Sequence, residues 1–276
     1  MMQVDSAMAL ARMAASEAGR IAMRHFRSGH ASWEKGPGQI VTDADIEIDV
    51  FLKKTLLEGS PPGTGWLSEE TTDDSSRLRA PRLWVVDPID GTRSFADGKP
   101  EFTISIALVE GSETRCGIVL NPATGQHFEA VRGVGATLNG RAIKVKARNT
   151  IEGASIVVSK TENGRRGFDR MFSMADVRSI GSLALKLALV AAGRFDGFFS
   201  WRRSHDWDIA AAVLLIEEAG GRITDSFGVP IALNAPVPQQ QGLIAAAPEL
   251  QSALVQSSVR KRQSSGNSEM SSARRR

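Results

Sequence analysis

The sequence lacks the features that would place the protein in an oxidising compartment or across a membrane. Its 276 residues include one cysteine, Cys116, so no intrachain disulfide can form. No apolar run approaches the ~20 residues that a membrane-spanning helix needs, and residues 1–27 contain no apolar signal-peptide core. Hydrophobic and charged contents of 42% and 24% are typical of a globular protein. We therefore expect a cytoplasmic protein.

Negative charge is scarce only at the end of the chain. The formal net charge is +3, but from Arg260 onward six basic side chains face one acid, Glu269, so the rest of the chain is net negative. This end is rich in serine and arginine and shows no apolar periodicity, which predicts a disordered, solvated tail at residues 257–276. Because the basic charge is confined there, we expect no specific nucleic-acid partner.

Apolar periodicity predicts two lobes in the rest of the chain. Residues 1–149 show helical spacing at 4–26 and 46–57, followed by segments typical of a mostly antiparallel sheet. Residues 150–256 combine short strands and helices, an α/β pattern. More local expectations are a loop at 33–38, a hairpin turn at Asn139-Gly140, helices at 164–174, 182–192, 209–218 and 248–258, and a strand at 231–233.

The most informative stretch is an apolar strand at 83–86 that ends in two carboxylates, Asp87 and Asp90. Pro88 lies between them and removes a backbone donor, so the strand must leave its ladder here. Two acids this close repel each other unless a cation lies between them. Oxygen ligands with little histidine nearby suit magnesium better than zinc. The competing interpretation is that the two acids only cap a turn.

A helix that opens at Thr92 would direct its first N–H groups at an anion. Gly91, just before it, permits a tight turn or a close approach to the backbone. Carboxylates for a metal beside amides for an anion are the layout of a phosphate-ester site. The glycines at 133–140 lack the G-x-G-x-x-G spacing and a following helix, so they do not predict a nucleotide loop.

Other acids have two open interpretations. Glu69 and Glu70 follow a short strand at 66–68. Asp43 or Asp45 could cap the second helix, and Asp206 or Asp208 could cap the helix after them, each by ~1 kcal/mol. The motifs, taken in order, are Glu69-Glu70, Asp87-Pro88-Ile89-Asp90-Gly91-Thr92 with Phe95, Gly135-Ala136 with Asn139-Gly140, Trp207-Asp208 with Ala210-Ala211, and Glu218-Ala219-Gly220-Gly221.

This ordered set resembles the inositol monophosphatase superfamily over roughly residues 5–256. The resemblance implies an α+β fold, a layered αβαβα sandwich whose site lies between the two lobes. It implies two or three Mg²⁺ ions and inhibition by lithium. The first ion would be held by Glu69, Asp87 and the carbonyl of Ile89, and the second by Asp87, Asp90 and Asp208.

The resemblance also implies roles around these ions. Thr92, hydrogen-bonded to Asp45, would orient the attacking water together with Glu69. The amides of Gly91 and Thr92 would hold the phosphate. The remaining implied substrate contacts are Lys35 from its glycine-rich loop, Asp90, Gly181 and Ser182. Lys35 could equally be an exposed loop residue.

One departure concerns the substrate. Inositol-specific members have a sugar-binding glutamate six residues before the tryptophan of the Trp-Asp motif, where this chain has Trp201. Trp201 could stack on a base or an inositol face, and Arg202 and Arg203 could bind a second phosphate. The two arginines could also be surface charges at a subunit contact.

We therefore expect a Mg²⁺-dependent phosphomonoesterase that hydrolyses a small soluble ester of the inositol monophosphate type by attack of water, working as a homodimer. The alternatives are a 3′(2′),5′-bisphosphate nucleotidase, favoured by residues 201–203, and a histidinol-phosphate phosphatase, whose branch has a similar Asp87–Phe95 stretch. A scaffold without catalytic activity is the non-enzyme alternative.

Overall fold

The structure, a computed structural model, describes residues 4–36, 39–159, 162 and 172–273, with side chains up to residue 261. The helix predicted at 164–174 lies almost wholly outside the described residues. The helices are α1 Val4–Ser28, α2 Asp43–Glu58, α3 Thr92–Ala96, α4 Leu183–Ala191, α5 Asp206–Glu218 and α6 Pro248–Ala273. In the described ranges, none of them combines the length and the apolar character needed to cross a membrane.

In the described residues, the strands form two main sheets and two small two-stranded sheets. The strands are β1 Ser32–Gly36, β2 Gln39–Thr42, β3 Gly65–Ser68, β4 Leu83–Asp90, β5 Thr103–Glu110, β6 Glu113–Asn121, β7 Gln126–Val131, β8 Gly135–Leu138, β9 Arg141–Ala142, β10 Ser155–Val158, β11 Asp176–Ser179, β12 Gly197–Ser200, β13 Ser204–His205, β14 Arg222–Thr224, β15 Gln239–Gln240 and β16 Leu243–Ala246.

The larger sheet has the order β3-β4-β5-β6-β7-β8-β9 and is antiparallel except for the β3–β4 pair. The second sheet has the order β11-β10-β12-β16-β14, in which β11, β10 and β12 are parallel. The small two-stranded sheets are β1–β2, a hairpin, and β13–β15, whose strands are far apart in the chain. Each of the two predicted lobes thus contains one main sheet and one two-stranded sheet.

Alternating side chains on the strands stack these elements into five layers. On β4, Trp84 and Val86 pack with α1 and α2, whereas Val85 faces the opposite way toward α4 and α5. On the second sheet, Phe198 packs with α4 and α5, and Phe199 packs with α6. The order is α1/α2, first sheet, α4/α5, second sheet, α6. This confirms the predicted layered αβαβα fold.

Two local predictions were wrong and one was confirmed. Residues 32–36 form strand β1, paired with β2, and not a loop. Residues 231–233 are not a strand, and near them only Pro230 forms an isolated bridge, to Thr224. The Asn139-Gly140 turn is confirmed: both residues have positive φ, 49° and 76°, and they join β8 to β9.

The helix caps also differ from the expected ones. Thr42, not Asp43, caps α2, and Asp45 closes a capping box by accepting the Thr42 N–H. His205 is the N-cap residue of α5, so neither Asp206 nor Asp208 has that position. Helix α6 is longer than the predicted 248–258. It runs through residues 257–273 of the tail that the sequence predicts to be disordered. The boundary between the lobes near residue 150 stays a prediction.

Candidate metal and phosphate site

Three carboxylates from separate elements meet where the two lobes face each other. Glu69 follows β3, Asp87 lies in the neighbouring parallel strand β4, and Asp208 lies in the first turn of α5. One oxygen of each lies within 4.8 Å of the other two. Because α5 packs against the same face of the sheet as Val85, its N-terminus delivers Asp208 to the end of β4.

The electrostatics of this cluster call for a cation. Burial, reinforced by the neighbouring Glu69, Asp90 and Asp208 carboxylates, raises the pKa of Asp87 well above its usual value. Burial and the Asp90 and Glu69 carboxylates do the same to the pKa of Asp208. The Oδ1 atom of Asp87 is buried and has no hydrogen-bond partner within the described ranges. An all-oxygen donor set with an orphaned buried carboxylate oxygen fits a hard divalent cation.

Asp90 lies beside this cluster and is fixed to the N-terminus of α4. Its Oδ2 accepts the Ser182 hydroxyl at 2.6 Å and the Ala184 N–H at 2.5 Å. Burial raises the pKa of Asp90, and these two hydrogen bonds oppose the rise. The pairing of β4 with β5 shifts between Asp87 and Asp90, around Pro88, as expected for a strand that must leave its ladder. Asp90 therefore joins the two lobes.

Thr92 and Asp45 also meet, as the resemblance implies. The Thr92 hydroxyl is 2.9 Å from the carbonyl oxygen of Ile89 and 3.2 Å from Oδ1 of Asp45. Burial raises the pKa of Asp45 to about 7, although its hydrogen bonds from Thr42 act in the opposite direction. A carboxylate with this pKa can take up a proton near neutral pH.

Gly91 makes the close approach of the lobes possible. Its φ is +96°, and a Cβ built there would lie 2.8 Å from the carbonyl oxygen of Glu101 and 3.1 Å from the backbone nitrogen of Ser182. The adjacent helix α3 begins at Thr92, and the N–H groups of Ser94 and Phe95 already donate to the Gly91 carbonyl at 2.8 and 3.1 Å. The donors left for an anion are therefore the amides at the start of the helix, those of Gly91 and Thr92. These donors lie next to the carboxylate cluster.

Lys35 reaches the cluster from β1. Its Nζ lies 3.0 Å from Glu69 Oε1 and 2.6 Å from Glu70 Oε1. Burial alone would lower the pKa of Lys35, but the two carboxylates outweigh it and raise that pKa above its usual value. Lys35 is therefore a cation paired with the carboxylates of the site, and it lies in a strand and not in a loop.

Other expected substrate contacts lie elsewhere. The Trp201 ring packs edge-on to Phe199, its Nε1 donates to Ser258 Oγ at 3.0 Å, and it belongs to the cluster beneath α6. The Trp201 ring is thus engaged in packing between β12 and α6, and its stacking on a substrate stays a prediction. Arg202 and Arg203 are exposed. Gly181 donates its N–H to Glu101 Oε2 at 2.9 Å and supports the turn that carries Ser182.

Two buried charged residues near the site were not predicted. Lys186 lies in α4, and Glu162 lies just after β10. A single lysine in the otherwise apolar run Leu183–Ala191 is the signal that could have revealed the first. Glu162 has no comparable signal in the sequence.

Comparison with known proteins connects this geometry to a family. The sequence model of the Inositol monophosphatase family matches residues 3–263. The chain belongs to this family. The inositol-1-monophosphatase of Rhizobium meliloti is 41% identical over 203 residues, which is 70% of this chain and 75% of that protein. Nus factor SuhB of Pseudomonas aeruginosa is 35% identical over 205 residues, which is 71% of this chain and 75% of that protein.

Solved structures of inositol monophosphatase family proteins have the same fold. The crystal structure of the extragenic suppressor protein suhB from Bartonella henselae superposes with a TM-score of 0.81 at 31% identity, covering 91% of this chain and 97% of that one. Membership of the inositol monophosphatase family confirms the resemblance drawn from the ordered motifs.

Proposed function

We propose that this protein is a Mg²⁺-dependent phosphomonoesterase that hydrolyses a small soluble phosphate ester of the inositol monophosphate type. The observation that carries the proposal is the cluster of Glu69, Asp87 and Asp208, with its unpartnered Asp87 oxygen. The name of the Rhizobium meliloti relative supports the substrate class.

The chain's carboxylates would hold the metal. Glu69, Asp87 and the carbonyl of Ile89 suit one ion, and Asp87, Asp90 and Asp208 suit a second. When bound, magnesium would supply Lewis acidity toward water and positive charge for the leaving oxygen. The hydrogen bonds that Asp90 accepts at the N-terminus of α4 would hold its carboxylate in place for the second set of oxygens.

Side chains and backbone amides of the protein would accept the proton from water and bind the phosphate. Thr92 connects Asp45 to the region of Glu69, so a proton leaving water can pass through the Thr92 hydroxyl to a carboxylate whose pKa is about 7. The amides of Gly91 and Thr92 would donate to the phosphate oxygens. Lys35 would add positive charge from β1.

A single phosphate fits the site better than a nucleoside bisphosphate. Trp201 is packed beneath α6 and cannot stack on a base without leaving Phe199 and Ser258. A scaffold without activity would have no need of a buried cluster of repelling carboxylates. The homodimer and the cytoplasmic location stay predictions.

The experiment is phosphate release from inositol 1-phosphate, adenosine 3′,5′-bisphosphate and histidinol phosphate with Mg²⁺. We expect the highest kcat/KM on inositol 1-phosphate, and lithium should inhibit it. Arg202→Ala and Arg203→Ala should lower kcat/KM by similar factors on the first two substrates. A loss confined to adenosine bisphosphate would favour the nucleotidase, and no release from any of the three would refute phosphatase activity.

Thr92→Val should lower kcat by about 10²-fold or more, the usual contribution of a positioned acid–base group. The substitution keeps the volume of this buried side chain but removes the hydroxyl that links Ile89 to Asp45. Steady-state kinetics with saturating Mg²⁺ measure the effect. Thr92→Ser, the matched control, should restore most of the turnover. Wild-type kcat in Thr92→Val would show that the hydroxyl moves no proton.

A further inference from the structure

The carboxyl ends of three parallel strands meet beside the candidate metal site. Strands β11, β10 and β12 run in the same direction and end at Ser179, Val158 and Ser200. The N-terminus of α4, which holds Asp90, lies at this edge. In open α/β sheets, ligands bind outside the carboxyl ends of the strands. The groups at this edge are therefore placed to meet the part of the substrate that extends from the phosphate.

Lys186 brings a buried ammonium to this edge. Its side chain is 4% exposed. The Nζ atom is 3.4 Å from Ser159 Oγ after β10 and 3.3 Å from the carbonyl of Ile180 after β11. Both hydrogen bonds are long, and an ammonium has three donors to place. Lys186 thus has donor capacity left over.

Glu162 brings a buried carboxylate to the same edge. It is 2% exposed, and its Oε1 accepts the backbone N–H of Trp201 at 2.8 Å. Its Oε2 is buried without a hydrogen-bond partner in the described part of the chain. Buried carboxylate oxygens are almost always hydrogen-bonded. This orphaned oxygen lacks a donor that a ligand could supply.

The neighbouring groups favour hydroxyls over a second phosphate. The Glu162 carboxylate would repel a phosphate, whereas a hydroxyl can donate to Glu162 and accept from Lys186. Ser179 Oγ, at the end of β11, is also buried and without a partner among the described residues. The edge therefore offers an acceptor in Glu162, a donor in Lys186 and a hydroxyl in Ser179. Each hydroxyl group of a polyol can both donate and accept, so a polyol can pair with all three.

We propose that Glu162 and Lys186 bind neighbouring hydroxyl groups of the substrate. Glu162 would do the work of the glutamate that inositol-specific members have at the position of Trp201, reaching it from after β10 instead of from β12. The substrate class is accordingly a polyhydroxylated monophosphate, which rests on the phosphatase function proposed above. Among the neighbouring charges, Asp90 and Glu162 act most strongly on the Lys186 ammonium.

Glu162→Gln tests this with almost no change of shape. A glutamine carbonyl can still accept the Trp201 N–H, but its amide nitrogen replaces the Oε2 acceptor by a donor. The readout is the ratio of kcat/KM for inositol 1-phosphate to kcat/KM for phenyl phosphate, which has no hydroxyls. We expect this ratio to fall about 10- to 100-fold, the range for losing a hydrogen bond to a charged group. Lys186→Met, a second variant, should lower the ratio in the same direction.

Ser258→Ala is the matched control. It removes the other hydrogen bond of Trp201, to the indole Nε1, without touching the carboxylate. The ratio should stay within about threefold of wild type. If Glu162→Gln also leaves the ratio within threefold, Glu162 only positions Trp201 and the proposal is overturned. Wild-type protein that hydrolyses phenyl phosphate but not the polyol ester also overturns it. Failure on both substrates refutes the phosphatase function itself.

Discussion

Asp87→Asn should lower phosphate release by about 10²- to 10⁴-fold and should stabilise the metal-free protein. The loss follows from removing a charge that both proposed metal positions share. A bound ion contributes several kcal/mol to such a reaction, and each 1.36 kcal/mol is tenfold in rate. The gain follows because Asp87 is buried among Glu69, Asp90 and Asp208, which repel it. The measurements are kcat/KM at saturating Mg²⁺ and urea unfolding in chelator.

The size of the stability change depends on pH. A carboxyl whose pKa is raised by folding destabilises the protein when ionised, so its cost appears as pH rises above the unfolded value of ~3.9. The stabilisation by Asp87→Asn should therefore be present at pH 8 and vanish near pH 4. Asp97→Asn, an exposed aspartate after α3, is the control and should change neither quantity. Wild-type activity in Asp87→Asn would contradict its role as a metal ligand.

Arg77→Met should destabilise the fold by roughly 2–4 kcal/mol, the sum expected for losing hydrogen bonds from one charged group. The Arg77 guanidinium is buried and donates to Asp73 Oδ2 at 2.8 Å, to Asn234 Oδ1 at 2.6 Å and to the carbonyl of Ala235 at 3.1 Å. Methionine fills similar volume but leaves these acceptors unpaired. Urea unfolding at pH 7 measures the cost.

Replacing Arg77 should also affect the candidate metal site. The N–H of Asn234 donates to Asp206 Oδ2 at 2.7 Å, and Asp206 begins the helix that carries Asp208. Arg77 therefore fixes a loop that in turn holds the N-terminus of α5, so its loss should also weaken Mg²⁺ activation. Arg79→Met, at an exposed position of the same turn, is the matched control. Equal unfolding free energies for the two variants would refute this role.

Lowering the pH should reduce the contribution of Arg77 to the free energy of unfolding. The hydrogen bond from the Arg77 guanidinium is the main cause that lowers the pKa of Asp73. A lowered carboxyl pKa contributes stability above the unfolded value of ~3.9 and loses it as pH falls through the folded value. The difference in unfolding free energy between wild type and Arg77→Met should therefore narrow below pH 4. A constant difference would mean that the loop carbonyls account for all of it.

The centre of the site was predictable because its information is local. An apolar strand, two acids separated by Pro88, and Gly91 before a helix start all lie within one stretch of chain. The same is true of the Asn139-Gly140 turn, where both residues tolerate positive φ. Such features require no knowledge of which surface each strand buries.

The orientation of Trp201 could not be predicted in this way, because it depends on which face of β12 is buried and against what. Alternation along β12 places Trp201 on the same face as Phe199, but only the assembled layers show that this face packs beneath α6. Strand β1 was missed because its side chains are almost uniformly exposed, so its residues show no alternation. Glu162 is brought to the site by a tertiary contact with the backbone of Trp201, which no local pattern encodes.

The role of the carboxylate cluster is tested most directly by adding Mg²⁺ to chelator-treated protein and following phosphate release from inositol 1-phosphate. We predict no release in chelator, saturable recovery with Mg²⁺ in the wild type, and no comparable recovery in Asp87→Asn. Release that persists in chelator, or equal recovery in the two proteins, would contradict a metal-dependent phosphatase built on Glu69, Asp87 and Asp208.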